Sequence, residues 1–302
     1  MLYALFGLIG LLALTAGVIG ALALYGSRVL TRRRVPDPPV SPLDYGLAYK
    51  EVAFPSRDGL MLRGWFIPAT EPRGTVIFCH GHAGSMGPDL KYVPAFRDRG
   101  YNVLLFDFRA HGRSDGQVVS MGSLEQRDLL GAVDYLQRRG IEHVGVLGFS
   151  MGGRVAISTA PQSEAIAAVV SDGGPATLLE SIVAGSRERG LPGVLALPVA
   201  WLTLWLAGRL VGCNLSEADA VYWVAKLSPR ALFLIHGGRD PYVSTAAVEA
   251  LFATAREPKE LWIVPKADHR QVDEQHPDEY LTRVIGFFDR YLVATVKREI
   301  EN

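Results

Sequence analysis

Val144-Gly-Val-Leu-Gly148-Phe149-Ser150-Met151-Gly152-Gly153 is the stretch that decides how the whole chain is interpreted. Residues 144–147 form an apolar run that predicts a buried strand, and residues 151–160 predict a helix that ends before Pro161. Gly-x-Ser-x-Gly between a strand and a helix is typical of a turn too tight for flanking side chains. We expect such a turn to leave the Ser150 hydroxyl exposed, beside the free N–H groups of the helix N-terminus.

The remaining chain alternates predicted strands and helices after a hairpin-like start. Strands are predicted at residues 49–55, 60–67, 75–79, 103–106, 144–147, 166–170, 231–235 and 261–264, and helices at 88–99, 124–139, 151–160, 245–256 and 280–296. This alternation predicts an α/β domain over residues 49–297, with a mostly parallel, eight-stranded sheet and helices on both faces. The segment 175–227 interrupts the alternation and is predicted to be an inserted helical cap.

Two polar residues follow later strands and complete a catalytic pattern with Ser150. Asp240 comes after the strand 231–235, and His269 comes after the last strand. Carboxyl ends of parallel strands share one edge of a sheet, so the three side chains are expected to meet there. The chain order Ser, Asp, His predicts Ser150 as nucleophile, His269 as its base and Asp240 as the acid that orients the base.

Other interpretations of these residues exist. The serine motif could be an ordinary glycine-rich turn, and Asp172, at the end of another strand, could be the acid. Asp268 is disfavoured because adjacent side chains diverge from His269. His276 stands beside Pro277, where a residue that starts a helix is the simpler interpretation.

An acyl-transfer site also needs two N–H donors for the developing oxyanion. One is predicted to be the backbone N–H of Met151, and the other that of His82 in the loop His80-Gly81-His82-Ala83-Gly84, with Ala83 as second choice. His80 and His82 lack the cysteine or carboxylate spacing of a zinc site, so neither a metal nor a cofactor is expected. The loop Asp107 to Ser114 is expected to be a tight turn held by its own hydrogen bonds rather than a substrate-binding patch.

Residues 1–27 are predicted to be a transmembrane anchor. The run from Leu2 to Tyr25 has no charged side chain and is long enough to cross a hydrocarbon core of about 30 Å as a helix. No arginine precedes the run, and it exceeds the ~7–15 residues of a signal-peptide core, so a signal peptide cleaved after Ala23 is the less favoured alternative.

Residues 28–48 are predicted to be a basic, proline-rich linker after this anchor. Arginines at positions 28 and 32–34 favour a single-pass membrane protein with a cytoplasmic catalytic domain. Removal of residues 1–34 is then expected to release a soluble, active domain.

The cap segment Leu191 to Gly208 contains no charged residue and includes Trp201 and Trp205. A membrane span there is disfavoured, because it would separate Ser150 from Asp240 and His269. A buried cap helix and an apolar lid that touches a membrane or an acyl chain both remain open.

Composition excludes several other classes of protein. The chain has 302 residues, 31 basic and 31 acidic side chains, and 49% hydrophobic residues. This balance is typical of a folded protein and gives no basic excess for binding nucleic acid. Two cysteines, Cys79 and Cys213, do not define a disulfide framework.

Several motifs together resemble the α/β-hydrolase superfamily over roughly Tyr49 to Leu292. They are the turn at 148–152, the His80-Gly81 loop, Asp107-x-Arg109-x-His111-Gly112-x-Ser114, and the contexts of Asp240 and His269. The chain is most similar to the membrane-anchored α/β-hydrolase-domain proteins, a branch that includes lipid esterases, lysophospholipases, acyl-protein thioesterases and some serine peptidases. Its His80 loop lacks the glycine run of HGGG-type lipases, which sets it apart from hormone-sensitive-lipase-like enzymes.

This resemblance implies a serine hydrolase without a cofactor. With the apolar cap and the anchor, it predicts cleavage of a small acyl or lipid substrate, an ester or thioester, through an acyl-enzyme intermediate. An aminopeptidase-like serine peptidase is the alternative, because charged residues at 180 and 187–189 could bind a peptide terminus. A non-catalytic, membrane-tethered binding protein is a third possibility.

Overall fold

Eight strands form one sheet in the computed structural model, which describes residues 2–82 and 84–301, without the side chains of 297–301. The strands are β1 (Lys50–Pro55), β2 (Met61–Ile67), β3 (Gly74–Cys79), β4 (Tyr101–Phe106), β5 (Val144–Phe149), β6 (Ile166–Asp172), β7 (Ala231–Gly237) and β8 (Lys259–Val264). Their order in the sheet is β1-β2-β4-β3-β5-β6-β7-β8. β2 is antiparallel to β1 and β4, and all other neighbours are parallel. The predicted mostly parallel sheet is confirmed.

β5 lies inside this sheet, and all six of its residues are buried. A parallel strand covered on both faces reads as a continuous apolar run, which is why residues 144–149 contain no charged side chain. In the register, Gly148 pairs with Cys79 of β3, and Phe149 pairs with Asp172 of β6. The carboxyl ends of these three strands therefore lie at one edge of the sheet.

The described part of the chain contains nine α-helices. They are α1 (Leu2–Thr31), α2 (Val93–Asp98), α3 (Glu125–Gln137), α4 (Met151–Thr159), α5 (Leu178–Glu188), α6 (Gly193–Val211), α7 (Thr245–Thr254), α8 (Val272–Gln275) and α9 (Pro277–Glu301). Side chains of α3, α4 and α7 belong to the core on one face of the sheet, and those of α2 and α9 to the core on the other. The prediction of helices on both faces is confirmed.

The prediction of one helix at 88–99 is wrong in detail, because two helical segments of different type occupy this stretch. A 3-10 helix, Gly87–Tyr92, precedes α2 instead. Pro94 has no N–H with which to bond the carbonyl of Leu90, so one α-helical ladder cannot run through both parts. The last helix begins at Pro277 rather than at Tyr280, because proline suits the first helical turn.

The segment between β6 and β7 forms a cap of two helices, α5 and α6, followed by three short 3-10 helices at 215–218, 220–222 and 224–226. Pro198 lies inside α6 without ending it. The guanidinium of Arg154, in α4, donates to the carbonyl oxygen of Leu215 at 2.6 Å and pairs with Asp219 at 2.7 Å. The Arg154 side chain is 1% exposed, so a buried ion pair joins the base of the cap to α4.

α1 is a continuous helix that runs past the predicted end of the anchor to Thr31. Both α1 and α6 are long and apolar enough, by length and composition, to cross a membrane. The most apolar part of α1 contains no buried residue, whereas Ala23, Ser27 and Thr31 are buried at a spacing of four residues. One face of the C-terminal third of α1 therefore packs against the rest of the protein, chiefly against α6.

The segment after α1, predicted to be a linker at 28–48, is hydrogen-bonded to the domain. The Arg33 guanidinium donates to three carbonyl oxygens of the loop 112–116 at 2.7–3.0 Å. The Asp37 carboxylate accepts the Ser85 N–H at 2.6 Å. These contacts join residues 48 to 83 positions apart, a distance over which local sequence patterns carry no information. They argue against the expectation that residues 1–34 can be removed without loss.

Candidate active site

Ser150 lies at the turn between β5 and α4, with φ 52° and ψ −114°. L-residues rarely adopt this region, and such strain concentrates at functional sites. A Cβ at Gly148 would lie 2.3 Å from the Gly152 carbonyl oxygen, and one at Gly152 would lie 1.9 Å from the Cys79 carbonyl oxygen. Both glycines are therefore required by backbone contacts, as the turn predicted from the sequence demands.

His269 lies between Ser150 and Asp240. Its Nε2 is 2.9 Å from the Ser150 Oγ, and its Nδ1 is 2.6 Å from the Asp240 Oδ2. Because the carboxylate accepts the Nδ1–H, Nε2 is left to accept the serine hydroxyl proton. The buried Asp240 is fixed in turn, since its Oδ1 accepts the N–H groups of Tyr242 and Val243 at 2.8 and 3.0 Å. The structure thus brings the three predicted residues into one hydrogen-bonded chain.

The position of each residue follows from the sheet. Ser150 comes directly after β5, Asp240 follows the end of β7, and His269 follows the end of β8. The Tyr242 ring packs edge-on against the His269 ring, with centroids 5.2 Å apart. Parallel strands thus bring three residues that are distant in sequence to the same edge of the sheet.

The alternative acids and base lie elsewhere. Asp172 accepts a hydrogen bond from the Tyr280 hydroxyl at 3.0 Å, and burial raises the pKa of Asp172 to about 6. The His276 ring lies 3.6 Å from Glu279 at the start of α9, in keeping with a residue that begins a helix. Within the described residues, Asp268 makes no side-chain hydrogen bond to His269.

The predicted oxyanion donors lie beside the serine. A Cβ at Gly81 would be 3.4 Å from the Ser150 Cβ, and His82 and Met151 line the same cavity as Ser150. Within the described part of the chain, neither the His82 N–H nor the Met151 N–H donates to another protein atom. Both donors are therefore free to face a ligand. Ala83, the second choice, lies outside the described residues.

The histidines of this loop bond to the backbone. His80 donates from Nδ1 to the Gly81 carbonyl at 2.7 Å and accepts the Phe108 N–H at Nε2 at 2.9 Å, and the His82 Nε2 donates to the Leu30 carbonyl at 3.0 Å. Burial lowers the pKa of both imidazoles, to about 3 for His82, where the charge of Arg34 adds to the effect. Their neutral rings thus hold the loop in place. No three His, Cys, Asp or Glu side chains of the described residues converge as a metal-ligand set.

The loop from Asp107 to Ser114 is the tight turn that the sequence predicts. The Asp107 carboxylate accepts the N–H groups of Met86 and Arg113, each at 2.9 Å. Arg109, 3% exposed, forms an ion pair with the buried Asp128 at 2.6 Å. These charged groups are thus paired within the protein rather than offered to a substrate.

A cavity of about 900 Å³ lies in front of Ser150. The cap lines it with Leu178, Ile182, Val199 and Thr203, and α1 lines it with Leu22, Tyr25, Gly26 and Val29. Most of its wall is apolar, which suits an acyl chain.

Sequence analysis missed this contribution of α1 and also Arg270, the neighbour of His269. Arg270 pairs with the buried Asp89 at 2.6 Å and lies 4.3 Å from the centroid of the Phe149 ring. The spacing of Ala23, Ser27 and Thr31, small or polar residues on one face of an apolar helix, was the available sign that α1 packs on protein. Nothing local to Arg270 indicates its partners.

A parallel sheet with a strained serine after β5, and with histidine and aspartate after later strands, defines the hydrolases of the α/β-hydrolase fold. This chain belongs to that family: a model described as the alpha/beta hydrolase fold matches residues 74–219. The family and the fold expected from the sequence are confirmed.

Known proteins agree with this assignment. YqkD of Bacillus subtilis is 31% identical over 242 residues, which are 78% of this chain and 77% of that protein. YfhR of Salmonella typhi is 31% identical over 255 residues, 81% of this chain and 83% of that protein. The structure of the esterase Pf2001 of Pyrococcus furiosus superposes with a TM-score of 0.71 and 29% identity, covering 85% of this chain and 98% of the esterase. Similarity to an esterase supports a hydrolase activity.

Proposed function

We propose that this chain is a membrane-anchored serine hydrolase that cleaves acyl esters or thioesters. The observation that carries the proposal is the pair of contacts on either side of the His269 ring, 2.9 Å to Ser150 and 2.6 Å to Asp240. This is the geometry that activates a serine hydroxyl as a nucleophile.

In the proposed reaction, the Ser150 Oγ attacks the acyl carbon while the His269 Nε2 takes the hydroxyl proton. The carbonyl oxygen becomes an oxyanion, which the N–H groups of Met151 and His82 stabilise. Asp240 stabilises the imidazolium. His269 then gives its proton to the departing alcohol or thiol, and the acyl group stays on Ser150.

Water completes the cycle. It loses a proton to the His269 Nε2 and attacks the acyl-enzyme carbonyl, forming a second oxyanion in the same place. When this intermediate collapses, the Ser150 Oγ leaves and recovers the proton from His269. The products are a carboxylic acid and the free serine.

An acyl chain suits the cavity better than a peptide terminus does. Among the described residues that line it there is no Asp or Glu, so the ammonium group of an aminopeptidase substrate has no carboxylate partner. Glu180, considered for that role, accepts the Thr177 hydroxyl at 2.9 Å at the start of α5. The aminopeptidase alternative is therefore disfavoured.

The proposal includes α1 as an uncleaved anchor. Ala23, after which a signal peptidase would cut, is fully buried against the rest of the protein. The arginines that follow α1 favour a cytoplasmic catalytic domain.

The test is labelling of the full-length protein in detergent with a fluorophosphonate, which reacts rapidly only with an activated serine. We expect labelling and hydrolysis of p-nitrophenyl esters in the wild type. Ser150→Ala should abolish labelling and lower kcat by several orders of magnitude. Ser163→Ala, which changes a serine between the end of α4 and the start of β6, is the control. Full activity in Ser150→Ala would refute the proposal, and a preference for aminoacyl p-nitroanilides would establish the peptidase alternative.

A further inference from the structure

One wall of the Ser150 cavity belongs to α1. Leu22, Tyr25, Gly26 and Val29 line the same volume as the serine. A Cβ at Gly26 would lie 3.1 Å from the Thr203 Oγ1 of α6, so the glycine lets the two helices approach closely. The serine and a helix apolar enough to cross a membrane thus enclose one space.

α1 is longer than a bilayer requires. About 20 helical residues cross the hydrocarbon core, and α1 has 30. If its exposed N-terminal part spans the bilayer, the residues from about position 22 onward project from it, and these are the residues that line the cavity. The adjoining α6 exposes Trp201 and Trp205 to solvent, and tryptophan is enriched at membrane interfaces. The cavity-facing sides of α1 and α6 are therefore placed at the bilayer surface.

Arg34 is a cation without a counter-ion in the same wall. Its guanidinium makes one long hydrogen bond, 3.4 Å to the Val29 carbonyl, and its Nε is buried without a partner among the described residues. Among the other arginines that line the cavity, Arg154 and Arg270 each pair with a carboxylate, and the exposed Arg189 donates to the Gly185 carbonyl oxygen at 2.7 Å. Because no carboxylate of the described residues lines this space, the half-buried Arg34 guanidinium is left free to pair with an anionic group of a ligand.

We propose that α1 is part of the substrate site, and that the substrate is a membrane-resident, single-chain acyl ester with an anionic group. The ester enters sideways from the bilayer along the cavity-facing sides of α1 and α6. Its chain lies against these two helices, its carbonyl carbon reaches the Ser150 Oγ, and its anionic group binds Arg34. This inference rests on the proposed serine hydrolase and adds the substrate class and the route of entry.

The first test fills the α1 wall. The full-length protein, in phosphatidylcholine vesicles, is assayed with p-nitrophenyl palmitate and p-nitrophenyl acetate. We expect Val29→Trp to lower kcat/KM for the palmitate at least about tenfold and to spare the acetate. Leu24→Trp, on an exposed position of α1 outside the cavity, should change neither. Val29→Met is a milder variant in case the tryptophan prevents folding. It should also lower kcat/KM for the palmitate more than for the acetate. Equal effects on both esters, or equal effects of the variants at 24 and 29, would overturn the role of α1.

The second test compares 1-palmitoyl glycerol with its 3-phosphate, which differ only in the anionic group. We expect Arg34→Gln to raise KM about tenfold for the phosphate and to leave the neutral ester unchanged, with partial recovery in Arg34→Lys. Arg28→Gln removes the same charge from an exposed position outside the cavity and is the control. Equal losses for both esters, or an equal effect of Arg28→Gln, would overturn the assignment of Arg34. Wild-type protein that fails to hydrolyse even p-nitrophenyl acetate would instead overturn the proposed function.

Discussion

The His82 Nε2–H donates a hydrogen bond to the carbonyl oxygen of Leu30 at 3.0 Å, which joins the loop beside Ser150 to the last turn of α1. Carbonyl groups in the last turn of a helix lack partners within the helix, so this bond satisfies one of them. It also orients the loop that supplies one N–H of the proposed oxyanion hole. The apolar helix α1 and the loop beside Ser150 are thus coupled directly.

The burial of His82, beside the charge of Arg34, makes stability depend on pH. In the folded protein the pKa of His82 is lowered to about 3, from an ordinary value of about 6.5. At pH values between these two pKa values, the unfolded chain binds more protons at His82 than the folded protein does. The free energy of unfolding is therefore highest above about pH 6.5 and falls as the pH drops. His82→Gln keeps an N–H donor but does not titrate. When the pH is lowered from 7 to 5, we expect the free energy of unfolding of the wild type to fall by up to about 2 kcal/mol more than that of His82→Gln, as measured by urea titration. Identical losses would contradict the prediction.

The two buried aspartates at the strand ends should differ sharply in their effect on catalysis. Asp240→Asn can no longer hold the His269 tautomer, so we expect kcat for p-nitrophenyl acetate to fall about 10³- to 10⁴-fold with little change in KM. Asp172→Asn is the matched control, since Asp172 bonds to Tyr280 rather than to His269. We expect it to change kcat less than about threefold. The opposite ranking of the two variants would reassign the acid to Asp172.

Two N-terminal deletions should behave differently. A variant lacking residues 1–21 keeps the packed part of α1, and we expect it to leave the membrane fraction and to hydrolyse p-nitrophenyl acetate. A variant lacking residues 1–34 also loses the Leu30 contact and the three hydrogen bonds of Arg33. Hydrogen bonds from charged groups contribute about 1.5–3 kcal/mol each. We therefore expect the free energy of unfolding of this variant, measured in urea, to be at least about 3 kcal/mol lower than that of the variant lacking residues 1–21. Equal stability of the two fragments would show that residues 28–34 are a linker after all.

How far the sequence predicts this site depends on how local each signal is. The three site residues Ser150, Asp240 and His269 were predictable because each follows an apolar strand. Since the carboxyl ends of parallel strands lie at one edge of a sheet, the pattern of strands along the sequence was enough to group them. The role of Arg33, by contrast, depends on carbonyl groups about 80 residues away. The break before α2 was predictable in principle from Pro94. The docking of α1 was only hinted at by the spacing of Ala23, Ser27 and Thr31.

The buried pair of Arg154 and Asp219 ties the base of the cap, but not α5 and α6, to α4. Breaking such a pair costs about 3–5 kcal/mol, and Arg154 also donates to the Met121 carbonyl, so the base of the cap moves with α4. α5 and α6 pack mainly on each other and, through α6, on α1. The cap helices therefore depend on α1 for much of their packing. If α1 lies in a bilayer, as proposed, the thickness and lateral pressure of the surrounding lipid act on that packing and so on the shape of the cavity in front of Ser150.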